Sequence, residues 1–88
     1  MTEEVTLVRL MNDAVTAHDS MRVKTLAAEH ASRFPNGKLS IEVEGLRVIA
    51  MCQEQQGASS VRKLAMEFAA KYPRAPIVDR VRSSCRLD

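Results

Sequence analysis

Eighty-eight residues make one domain, large enough for a core but near the lower end of comfortable stability. An apolar content of 45% against 27% charged residues fits a folded chain and excludes a disordered one, while a formal charge of +2 implies no strong electrostatic partner for the whole chain. Aromatics are 3% with no Trp, so the core must come from Leu, Val, Ile, Ala and Met, as helical bundles allow and β-sandwiches usually do not.

The start, Met1-Thr2-Glu3-Glu4, is acidic where a secretory signal needs a basic segment, and no apolar run approaches the roughly 20 residues that span a bilayer. The chain as given is expected in the cytoplasm, or in the periplasm or envelope if it is one domain of a longer protein. Residues 3 to 17 read as a first helix, with Glu3 and Glu4 at its positive end. Leu7, Leu10, Met11, Ala14 and Val15 form its apolar stripe, and Arg9, Asn12, Asp13 and Thr16 fall on the opposite face. His18-Asp19-Ser20 is a turn in which Asp19 or Ser20 can cap the second helix, about 20 to 34. That helix is expected to bury Val23, Leu26, Ala27, His30, Ala31 and Phe34, and Pro35-Asn36-Gly37 ends it.

A third helix is expected from about Lys38 to Gln56, with a stripe of Ile41, Gly45, Val48, Ile49 and Cys52. Gly45 costs about 1 kcal/mol relative to Ala inside a helix, which close approach of a neighbouring helix would explain. After the Gln56-Gly57 turn, a fourth helix over about 58 to 72 carries Val61, Leu64, Ala65, Phe68, Ala69 and Tyr72 on one face. Pro73-Arg74-Ala75-Pro76 closes it, and Pro76 suits the first position of a fifth helix running to about Arg86, apolar at Ile77, Val78, Val81 and Cys85.

The helices recur. Leu64-Ala65-Met66-Glu67-Phe68-Ala69-Ala70-Lys71-Tyr72-Pro73 repeats, 38 positions on, the pattern of Leu26-Ala27-Ala28-Glu29-His30-Ala31-Ser32-Arg33-Phe34-Pro35. Without a gap, Val5 pairs with Val43, Arg9 with Arg47, Leu10 with Val48, Met11 with Ile49 and Val23 with Val61. A fixed period of this length marks a stack of repeats, each burying its apolar face against a neighbour. The expected architecture is all-α: two stacked antiparallel hairpins, residues 3–37 and 38–75, and a capping helix over 76–86.

On Val61, Ala65, Phe68 and Tyr72-Pro73, on Val23, Ala27, His30 and Phe34-Pro35 before them, and on Asp19 in the turn, the chain resembles the tetratricopeptide-like repeats. It is most similar to the subtype in bacterial cell-envelope proteins, such as outer-membrane assembly lipoproteins and Tol-Pal coordinators. The resemblance implies an α-solenoid scaffold without enzymatic activity, binding protein segments in a groove lined by the first helix of each unit.

Candidate partner-binding residues are Arg9, Asn12, Asp13 and Thr16 on the first helix and Ser40, Glu44, Arg47, Met51 and Glu54 on the third. Arg9 and Arg47, one repeat apart, could bind carboxylates or carbonyls of an extended peptide. The same residues also read as a solvated face with ion pairs such as Arg47 to Glu44. A second signal, the basic cluster of Lys71, Arg74, Arg80, Arg82 and Arg86, could bind nucleic-acid phosphates or serve solubility and helix C-termini. Cys52 and Cys85 match no zinc or redox motif. They read as small buried hydrophobes or as a disulfide, since inward faces of the third and fifth helices could bring them within about 4.4–6.8 Å between α-carbons. His30 reads as a packed core histidine with one hydrogen bond, and no metal, cofactor or catalytic role is expected. A protein partner or a second copy is the expected ligand; a nucleic-acid-binding domain and a structural terminal domain of a larger protein are the alternatives.

Overall fold

The computed structural model describes residues 3–87, so Met1 and Thr2 of the acidic start lie outside the described residues. The described residues are all-helical, in five α-helices: α1 (Glu3–Thr16), α2 (Ser20–Arg33), α3 (Ser40–Glu54), α4 (Ser59–Lys71) and α5 (Ile77–Cys85). No helix among them is long and apolar enough to cross a membrane. Each helix is a residue or two shorter at its ends than the sequence pattern suggests, as expected where the last turn passes into a cap.

The ends follow from local chemistry. The Asp19 carboxylate accepts from the Arg22 N–H at 3.1 Å, capping α2. Both α2 and α4 stop at an aromatic residue followed by Pro, which disfavours the helical conformation of that aromatic. Phe34 and Tyr72 leave the helix with almost the same backbone, φ −133, ψ 63 and φ −128, ψ 60, and so does Gln55 at the end of α3, φ −127, ψ 60, with no Pro after it. Their carbonyls then accept from Gly37 and Ala75, and the carbonyls of those two residues accept from Ser40 and Val78. The two turns are therefore one conformation, 38 residues apart.

The helices pack as α1 on α2 and α3, α2 on α3, and α4 on α3 and α5, while α5 also lies on α3. α3 thus touches all four others. Among the described residues, the backbones of α2 and α4 are not packed on each other. This central position corrects the expected stripe of α3: Val43, Leu46 and Ala50 are buried beside Gly45, Val48, Ile49 and Cys52, whereas Ile41 is 39% exposed. A helix covered on several sides has no single apolar stripe. Ala31 of α2 is exposed and Leu64 and Tyr72 are half-buried where they line cavities beside α3, while Phe34 is half-buried beside Glu3, Glu4 and Val5 of α1.

The core runs from Leu7, Met11 and Val15 of α1 through Leu46 and Ile49 to Ile77 and Val81 of α5. At Gly45 the approach of α5 is so close that a Cβ would stand 2.6 Å from Ile77 Cγ1. A disulfide joins Cys52 to Cys85, with α-carbons 5.3 Å apart, and ties α5 to α3. It links residues 33 apart in sequence. Closing a loop of that length stabilises by about 3–4 kcal/mol in the chain-entropy account.

Candidate partner-binding surface

α2 and α4 both pack on α3 and not backbone to backbone on each other, which leaves an open trough over α3. On the α4 side a cavity of 440 Å³ is lined by Ile41, Glu44 and Val48 of α3 and by Leu64, Phe68, Lys71 and Tyr72. On the α2 side a cavity of 430 Å³ is lined by Lys24, Ala27, Ala28 and Ala31 together with Val43, Glu44 and Arg47. Ser40 and Glu44 border both, so the two are halves of one concave surface floored by the first turns of α3. The walls differ. Small alanines line the α2 side, and an aromatic pair with ring centroids 5.3 Å apart, Phe68 and Tyr72, lines the α4 side. Lys71 Nζ stands 5.4 Å from the centre of the Tyr72 ring. One repeat earlier, His30 and Phe34 pair at 5.6 Å with Arg33 over the Phe34 ring, so the aromatic end of each second helix is built alike.

The expected groove residues have different neighbours on α3 and on α1. Arg47 Nη2 donates to Glu44 Oε2 at 3.3 Å on the trough floor. Further along α3, Lys24 of α2 donates to Glu54 at 3.1 Å, and this bond holds the Glu54 carboxyl below the usual range. Met51 is half-buried against the core. Arg9, Asn12, Asp13 and Thr16 lie instead on the exposed face of α1. There the Thr16 hydroxyl donates back to the Asn12 carbonyl at 3.0 Å, and the Asn12 side chain accepts from Arg80 of α5 at 2.8 Å.

The basic cluster does not form one patch. Lys71 lies at the trough, Arg80 reaches α1, and Arg86 follows the end of α5, where its carbonyl accepts from Arg62 at 3.4 Å. Arg62 belongs to the first turn of α4 and Lys71 to its last, about 14 Å apart along the helix. Arg82 is exposed one turn before Arg86, whose N–H donates to the Arg82 carbonyl, and Arg74 is exposed after α4. Among the described residues no three His, Cys, Asp or Glu side chains are grouped closely enough to hold a metal ion.

Two side chains do work that the sequence pattern does not announce. Glu4 accepts on one oxygen from His30 Nε2 at 2.9 Å and from the Leu39 N–H at 3.0 Å, fastening α1 to the end of α2 and the start of α3. Gln53 Nε2 donates to the Val15 carbonyl at 3.2 Å and so satisfies the end of α1 from α3. Both contacts join residues 26 to 38 positions apart, which helical periodicity cannot reveal. Comparison with family models, with curated proteins and with solved structures found no match for this chain.

Proposed function

We propose that the chain is a tetratricopeptide-like α-solenoid of two hairpins and a closing helix, and that it acts as a non-enzymatic protein–protein interaction module. The trough between α2 and α4 takes the segment of a partner protein or of a second copy. The observation that carries this reading is the composition of that surface. Exposed apolar side chains, Ile41 at 39% together with half-buried Leu64 and Tyr72, are rimmed by Glu44, Arg47 and Lys71. An apolar centre with a charged rim is the make-up of a protein-binding patch. The recurrence of the aromatic–Pro ends and of the hairpin contacts supports the repeat assignment. The placing of Lys71 at the trough and of Arg80 against α1 supports a protein partner over a phosphate backbone.

Affinity capture from native extract at two salt concentrations, with Ile41→Glu alongside, tests this. Ile41 is partly exposed, so its replacement leaves the core intact. A protein retained at high salt and lost with Ile41→Glu is the expected result. Capture that collapses with a steep salt slope and is nuclease-sensitive would replace this reading with nucleic-acid binding. Light scattering of the purified chain tells a self-associating terminal domain from a monomeric adaptor.

A further inference from the structure

Cys52 and Cys85 are buried, at 3% and 5% exposed, and their disulfide lies at the edge of the core. Both cysteines border an open cavity of 240 Å³ whose wall is completed by Gln55, Gln56, Arg62 and Arg86. Arg62 Nη2 donates to the Arg86 carbonyl, which holds its guanidinium beside the cavity. No carboxylate is among the lining residues, and neither guanidinium is in an ion pair among the described residues. Cys52 and Cys85 lie in the last turns of α3 and α5, where the helix field disfavours a thiolate. Arg62 and Arg86 are the charged residues among those lining the cavity, and a nearby cation favours a thiolate.

We propose that this cavity is a thiol–disulfide exchange site for a small anionic thiol. Arg62 and Arg86 draw the incoming thiolate in and stabilise the cysteine thiolate that leaves. The thiolate attacks one sulfur, the Cys52–Cys85 bond breaks, and the other cysteine departs as a thiolate that takes a proton from water. A second thiolate attacks the mixed disulfide and releases the small-molecule disulfide and the second free cysteine. Two thiols thus supply two electrons, and the covalent tie between α5 and α3 is removed without unfolding the chain.

The test uses the oxidised chain at neutral pH and low salt, reduced by glutathione, an anion, or by cysteamine, a cation. Alkylation and mass spectrometry give each rate. Division by the rate on an unstructured peptide disulfide removes the intrinsic reactivity of each thiol. The corrected ratio is expected to favour glutathione by about tenfold, as steering at a cationic cleft does, and to fall towards one at high salt. Arg62→Gln, at an exposed position, and Arg86→Gln should each lower it. A corrected ratio of one in the wild-type chain, a ratio unchanged in both variants, or reduction at the rate of global unfolding with either thiol would overturn the proposal.

Discussion

At Glu4 a single carboxylate oxygen gathers three segments: the first turn of α1, the buried His30 of α2 and the Leu39 N–H before α3. The hydrogen bond from His30, and then that from Leu39, holds the Glu4 carboxyl below its ordinary value near 4.5. A carboxyl lowered by folding contributes stability that is present above the unfolded value and is lost as pH falls through the folded one. Glu4→Gln should therefore lower the urea midpoint at neutral pH and flatten its fall on the acid side. Gly37 belongs to the same device, because a Cβ there would meet the Glu4 carboxylate. Its φ is not positive, so the glycine serves the close approach rather than the turn. Gly37→Ala should shift the same acid limb, and the double variant should cost less than the two single changes together. An acid limb in Glu4→Gln identical to that of the wild-type chain would remove Glu4 from this role.

Between elements, the closest approach is that of α5 to α3 at Gly45. Two effects compete in Gly45→Ala. Helix propensity favours Ala by about 1 kcal/mol, and overpacking opposes it by about 1–3 kcal/mol. The obstructing atoms include Ile77 Cβ at 3.2 Å, which no side-chain rotation removes, so overpacking wins. We expect a net loss of up to about 2 kcal/mol in urea titration, with Gly45→Ala/Ile77→Val recovering part of it. A more stable Gly45→Ala would mean that α5 does not approach α3 so closely. A glycine inside a helical pattern was readable as a close approach, but the helix that makes it was not, because a contact of 32 positions belongs to neither helix alone.

Across the whole molecule, residues 38 apart share a pattern without sharing burial. Leu46 is 2% exposed and Val43 7%, whereas their counterparts Val8 and Val5 on α1 are half-buried and 49% exposed. The reason is position. α2 covers α3 from the side on which nothing described covers α1. Leu46→Ala should cost about 2–4 kcal/mol and Val8→Ala about 1 kcal/mol or less at low protein concentration. Equal losses, or a Val8→Ala loss that grows with protein concentration, would place a second copy on the face of α1.

Sequence alone determined the helices and where Phe34-Pro35 and Tyr72-Pro73 end two of them, because caps, residues before Pro and the 3.6-residue period act within a few residues of chain. It also singled out Glu44 and Arg47 as residues that could face a partner. Only the tertiary structure decided that α3 is covered on several sides, and that Lys71 lies at the trough while Arg80 reaches α1. It likewise decided that Glu4 and Gln53 bind across helices. These follow from which helix lies beside which, and the periodicity of one helix records only that a side is buried, not what buries it.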